Sequence, residues 1–220
     1  MRVYSRVVSE GAIVVDVGVN VATHTLFSVR LCGASSRVAA FESTRYASDR
    51  LWRKVQLNAD AAPRICCQQV MVEATNGSAI EAVYSRSRLV KSFDDDPHAE
   101  HRGRPMTTAG ATAETLGGAF AGLTEKRVDF VKFHVDGRDA KVLAGAWQTF
   151  SRDRPSTLMK LVPFFLRDNM DKFVSMFQFS RGLKYSLTDI SSGNMLSEDV
   201  IEVVRMVKES GELTVVGRTL

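Results

Sequence analysis

The amino-acid sequence predicts an α/β protein with a mostly parallel, seven-stranded sheet and helices on both faces. Three observations predict it. Several short runs are apolar on both sides of the pleat, as buried parallel strands require. Those runs alternate with segments of helical period. The first two runs end in an acid, Asp16 and Glu42, at the end of the sheet where open α/β folds bind their ligands.

The elements follow in order along the chain. The first strand is Ala12–Val17. A glycine–asparagine turn leads into a helix from Val21 to Leu31, which Gly33 closes. Arg37–Phe41 is the second strand and runs into Glu42; Ser43 or Thr44 caps a helix from Arg45 to Asn58. Ile65–Glu73 is the third strand. Asn76-Gly77 signals a turn, and Ser78–Ser85 reads as an additional strand, part of an added hairpin. Phe93–Pro105 is polar, with two prolines and Gly103, and reads as an exposed loop within a variable segment of about 86–108. Val128–Val135 is the fourth strand, and the helix after it sets Val142, Leu143, Ala146, Trp147 and Phe150 on one face. Thr157–Phe164 is the fifth strand. The next helix carries Met170, Phe173, Val174 and Phe177 at helical spacing. Gly182–Thr188 is the sixth strand. Ser197 caps a last helix with Val200, Val203, Val204 and Val207 in register, Gly211 ends it, and Leu213–Arg218 completes the sheet.

The 220 residues suffice for one good-sized core, so a single domain over 1–220 is expected, with its ligand-binding half at about 12–75. Hydrophobic residues make up 45% and charged residues 25%, the balance of a globular chain rather than a disordered one. The net charge is +4 and the pI about 9.1, but the basic residues are scattered. A nucleic-acid partner should leave a clustered footprint, so none is indicated. Three cysteines, Cys32, Cys66 and Cys67, form no disulfide framework and read as reduced thiols. Residues 1–13 carry no apolar run of a signal peptide, and no stretch reaches the roughly 18 apolar residues of a membrane span. A cytoplasmic protein is expected.

The turn after the first strand is Asp16-Val17-Gly18-Val19-Asn20. Asn20 and Ala22 stand where a dinucleotide fingerprint would have further glycines, so no pyrophosphate is expected there. A nucleoside without phosphates fits better. Glu42 lies 26 residues after Asp16 and suits a ribose, because a carboxylate can accept hydrogen bonds from both hydroxyls. S-adenosylmethionine is such a nucleoside, and its cationic groups favour nearby acids.

The stretch Val14–Leu26, VVDVGVNVATHTL, resembles the opening motif of FkbM-type methyltransferases, DvGaNiGyyTl. Ala39–Glu42 is similar to that family's aFEP. Val128–Ala146, VDFVKFHVDGRDAKVLAGA, resembles its second signature, vdfiKiDvEGaE..vLkGa. Arg154–Pro163 is similar to its next strand. The resemblance spans roughly Val7 to Pro163. It implies a Rossmann-like class I methyltransferase fold with S-adenosylmethionine as donor. Asp16, Gly18 and Asn20 would then line the methionine side of the donor site, and Glu42 would hold the ribose. The family is associated with O-methylation of hydroxyls on sugars and other small molecules, which gives the expected acceptor.

The chain departs from the family pattern at the site. Ala22 replaces a glycine, and its methyl is expected to narrow the room beside the ligand. His134 and Asp136 replace Asp and Glu, Lys160 replaces an acid, and Ser43 replaces a proline. These changes keep two other readings open: a methyltransferase-like binding or scaffold module that has lost catalysis, and a methyltransferase acting on nucleic acid or protein.

Methyl transfer to an alcohol needs oxygen, carbon and sulfur in line and a route for the hydroxyl proton. His134 and Asp136 lie two apart near the end of the fourth strand and share a face. His134 is expected to be the base, with Asp136 orienting it, and Lys132 shares that face one step deeper. The acidic and histidine-bearing run Asp94–His101 matches no metal motif and is expected to be solvated loop, so no metal is assigned. His24 is given no role, although its place beside the turn allows contact with a ligand.

Overall fold

Ile13–Val17 (β1) lies at the middle of the sheet because its side chains are apolar on both faces, and all but the first are buried. In the computed structural model, which describes residues 4–85, 103–121, 127–135, 138–162 and 170–219, β1 pairs in parallel with strands on either side. The remaining strands, in chain order, are β2 Arg37–Phe41, β3 Ile65–Gln68, β4 Val70–Val72, β5 Gly77–Ser78 and β6 Ala82–Ser85. They continue with β7 Arg104–Thr107, β8 Thr112–Glu114, β9 Phe130–Phe133, β10 Ser156–Leu161, β11 Tyr185–Asp189 and β12 Leu213–Thr219. The helices are α1 Tyr4–Val7, α2 Thr23–Leu31, α3 Arg45–Gln56, α4 Leu116–Ala121, α5 Asp139–Asp153, α6 Met170–Gly182 and α7 Val200–Ser210.

The main sheet has seven strands in the order β3-β2-β1-β9-β10-β12-β11. All pairings through β10 are parallel, and β12 runs antiparallel to both β10 and β11. The expected Rossmann-like, mostly parallel sheet is therefore the observed one. The chain builds outward from β1 to β3 and returns to the other side of β1 at β9, so the strand order reverses between β1 and β9. That reversal opens a crevice at the strands' carboxyl ends.

Helices cover both faces. Val14, Val29, Val38, Leu51 and Phe130 join Tyr4 of α1 in one core with α2 and α3. Phe41, Phe133, Leu143, Phe150, Leu161 and Val203 belong to the other, with α4 to α7. Each fully buried Phe, Leu or Val stabilises the fold by roughly 1.5–3 kcal/mol, which is why these runs were legible as strands and helix stripes.

Some elements differ from the sequence expectation. The third strand is two strands: after Gln68 the chain leaves β2, and β4 pairs in parallel with β8 in a separate three-stranded sheet, β4-β8-β5. An unbroken apolar run has no period that reveals such a transfer. The added hairpin is an antiparallel ribbon of β6 and β7, so the described part of the variable segment, residues 103–108, contains a strand rather than loop alone. Helix α4 went unread because Gly117 and Gly118 lower helix propensity; buried Leu116 and Phe120 hold it, and Thr115 Oγ1 accepts a hydrogen bond from Gly118 N at 3.1 Å. Trp147 is 47% exposed and meets Phe179 edge-on instead of entering the core. Asp199, not Ser197, caps α7 by accepting from Ile201 N at 2.9 Å. Among the described residues no helix is long and apolar enough to cross a membrane.

Candidate active site

The turn leaving β1 is tight. Gly18, Asn20 and Ala22 all have positive φ, at 71°, 54° and 65°. Gly18 is required twice over. Its φ favours glycine, and a Cβ there would overlap the carbonyl oxygen of His134 and reach Val135 Cγ1 at 3.0 Å. Its smallness thus serves the junction of β1 and β9. Ala22 corrects an expectation. Its methyl is fully buried in the core with α2 and α3 and does not line the crevice, so it leaves the ligand's room untouched. The cost of alanine there is backbone strain at positive φ.

Asp16 also stands elsewhere than a lining position. It is 1% exposed beneath the turn, where Lys132 Nζ approaches its Oδ1 at 3.0 Å and Thr25 Oγ1 donates to its Oδ2 at 2.7 Å. The parallel pairing sets Asp16 opposite Lys132 across β1 and β9. Lys132 Nζ also donates to the carbonyls of Gly18 at 2.8 Å and Val17 at 3.3 Å. One buried ammonium therefore ties the Asp16 carboxylate and the first residues of the turn to the neighbouring strand.

Glu42, at the end of β2, lines the crevice. Its Oε1 accepts from Thr44 N at 2.9 Å and Thr44 Oγ1 at 2.7 Å, and its Oε2 accepts from Asn20 N at 2.8 Å. A carboxylate offers about four acceptor positions, of which the described residues use three. Capacity for one further hydrogen bond remains, not for a pair of hydroxyls.

His134 follows β9 directly. It is half-buried and lines the same crevice as Glu42 and Asn20, and its backbone N donates to Val17 O at 3.3 Å. Asp136 lies outside the described residues, as does the Asp94–His101 run. His24, left without a role by the sequence, lines the crevice as well. Burial, then Lys132, lowers its pKa, with Asp16 opposing. Its Nδ1 is 2.6 Å from the hydroxyl of Tyr4.

The crevice has a volume of about 730 Å³. Phe41, Val70, Met71, Val72 and the β6 residues Ala82 and Val83 give it an apolar wall. Arg138 and Lys160 stand at its border, the first in an ion pair with Glu73, the second 2.5 Å from Glu212 Oε2. Lys132 and Lys160 are thus both paired with carboxylates, while Glu42 is held by neutral donors. Asn20 Oδ1 is buried with no hydrogen-bond partner among the described residues.

The sequence could point to Glu42 and His134 because both end strands. It could not reveal Tyr4 or the true position of Asp16, because those depend on contacts between elements; Thr44 holds Glu42 from two residues away, where the sequence marked it only as a helix cap. The one available signal was Lys132, placed one step deeper on the face of His134.

The fold resembles solved methyltransferases at low identity. Methyltransferase FkbM from Methylobacillus flagellatus superposes with a TM-score of 0.59 at 12% identity, over 95% of this chain. This chain spans only 44% of that longer protein. A protein described as an rRNA methylase from Clostridium thermocellum gives 0.55 at 13% identity, covering 100% of this chain and 92% of that one. Aeropyrum pernix fibrillarin, solved with natively bound S-adenosyl-L-methionine, gives 0.52 at 12% identity, covering 97% and 68%. No curated protein matches the chain in sequence. The model of the methyltransferase FkbM domain matches residues 16–187, and the chain belongs to that family.

Proposed function

We propose that the chain transfers a methyl group from S-adenosylmethionine to a hydroxyl oxygen of a small molecule or sugar. The observation that carries this reading is the crevice at the ends of β1, β2 and β9, which brings Asn20, Glu42 and His134 together. Its chemistry fits the donor. The unpartnered Asn20 Oδ1 suits an ammonium, the last acceptor position of Glu42 suits one ribose hydroxyl, and the apolar wall suits a purine. Family membership supports the reaction class.

When bound, the donor supplies a methyl on a cationic sulfur, which keeps the carbon–sulfur electron pair as the methyl leaves. Glu42 and the turn fix the nucleoside in place, and Lys132 holds that turn rigid from below. His134 accepts the proton of the acceptor hydroxyl as the new oxygen–carbon bond forms, a role worth roughly 10²–10⁴-fold in rate. The apolar wall keeps water from competing.

A second reading, a binding module without turnover, has one observation in its favour: Lys160, which stands where the family pattern has an acid, is tied to Glu212 at the crevice border. Incubation with methyl-labelled S-adenosylmethionine and a panel of sugars and small alcohols separates the two. The proposal expects label on an oxygen of at least one acceptor. Donor binding with no transfer to any acceptor in the panel would favour the module.

A further inference from the structure

We propose that His24 is a fixed hydrogen-bond donor for the carboxylate at the amino-acid end of the bound nucleoside, held in that state by Tyr4. The inference rests on the donor reading above and adds a binding residue to it.

Tyr4 lies on α1. Its side chain is 3% exposed, and its hydroxyl is 2.6 Å from His24 Nδ1, with the two rings stacked 5.6 Å apart at 27°. A buried O–H needs an acceptor, and leaving it without one is costly. His24 Nδ1 is its partner among the described residues, so Tyr4 donates and Nδ1 accepts. Burial, and then Asp16, raises the tyrosine pKa, so the hydroxyl keeps its proton. The imidazole, kept neutral by burial and Lys132, must then carry its single proton on Nε2. His24 lines the crevice. What it offers a ligand is an N–H, not a lone pair.

The surroundings decide which ligand group that N–H serves. Among the described residues the charged and titratable groups acting on the ring are Tyr4, Lys132, Asp16 and His134. Lys132 is already committed to Asp16 and to the carbonyls of Val17 and Gly18. On the same turn, Asn20 Oδ1 is a buried acceptor without a partner among the described residues. An acceptor and a donor a few residues apart match a zwitterion, whose ammonium and carboxylate share one carbon. Glu42, which accepts from Asn20 N, is the group that the donor reading gives to the ribose.

The test compares two nucleosides on the intact chain. S-adenosylhomocysteine carries the amino-acid end, and 5′-methylthioadenosine lacks it. His24→Phe keeps the stacked ring and removes the N–H. The expected result is a loss of about tenfold or more in affinity for S-adenosylhomocysteine, with affinity for 5′-methylthioadenosine changed less than about twofold. Equal losses for both ligands, or no loss for either, would overturn the proposal. If the wild-type chain binds neither nucleoside, the donor reading itself falls and the proposal with it. ¹⁵N NMR of the histidine rings gives a readout that needs no ligand and no His24 variant. It should show the His24 proton on Nε2 in the wild type, and a mixture of tautomers in Tyr4→Phe. A wild-type proton on Nδ1 would overturn the assignment.

Discussion

Replacing Lys132 by methionine removes the cation beneath the turn while keeping most of the side-chain volume. Lys132 is 5% exposed, so water does not fill its place easily. The change leaves Asp16, 1% exposed, with Thr25 Oγ1 as its remaining hydrogen-bond donor. It also strips the Gly18 and Val17 carbonyls of the Nζ contacts at 2.8 and 3.3 Å. Breaking a buried ion pair by removing one partner costs about 3–5 kcal/mol, a large share of a typical domain stability of about 5–15 kcal/mol. Removing both charges is far milder, because no uncompensated ion is left. Lys132→Met combined with Asp16→Asn should therefore be more stable than Lys132→Met alone by about 2 kcal/mol or more. Urea denaturation of the wild type, both single variants and the double variant measures this coupling. Additive effects, or a Lys132→Met cost below about 1 kcal/mol, would refute the reading of Lys132 as the latch of the turn.

Other expectations follow from single contacts. Gly18→Ala combines positive-φ strain with overlap of the His134 carbonyl and should cost about 2–4 kcal/mol. Gly193→Ala, at φ 75° but with open space, should cost only about 1–2 kcal/mol, both read by urea denaturation. His134→Asn should lower turnover by about 10²-fold or more while leaving donor affinity within about twofold; unchanged turnover would remove His134 as the base. Asp189 is pushed up by burial, but hydrogen bonds from Ser191 and Ser192 outweigh this and hold its carboxyl at about 2. A folded-state pKa below the unfolded one stabilises above the unfolded value. The roughly 2 kcal/mol from Asp189 should thus be present at neutral pH and fade as pH falls from about 4 to about 2. Asp189→Asn should show that loss at pH 7, and its difference from the wild type should close as pH falls through about 2.

Much of the fold could be read from the sequence because its strands are buried on both faces and its helices on one. β1, β2, β9 and β10 are apolar runs of the right length, and Gly33 and Gly211 end helices with the positive φ that glycine favours. The path from Gln68 to Val70 could not be read so, because Val70, Met71 and Val72 are all buried whether they extend β3 or join β8. Glu42 and His134 were legible as residues at strand ends. The duty of Asp16 was not, because it depends on the register that sets it opposite Lys132, 116 residues away in the chain. Ala22 misled for a related reason. Its family position is beside the ligand in sequence, yet the positive φ of the turn directs its methyl into the core. Tyr4 and His24 are 20 residues apart on two helices, and no local pattern marks their contact.

The central claim is that the crevice binds S-adenosylmethionine through the end of β2. Calorimetric titration with S-adenosylhomocysteine tests it most directly, on the wild type and on Glu42→Ala. The account predicts saturable one-site binding by the wild type. In Glu42→Ala the lost hydrogen bond to a charged acceptor should weaken binding by about 1.5–3 kcal/mol, roughly 10- to 150-fold. Loss of the contacts to Asn20 and Thr44 should also lower the melting temperature without unfolding the chain. No binding by the wild type, or equal affinity in a folded Glu42→Ala, would contradict it.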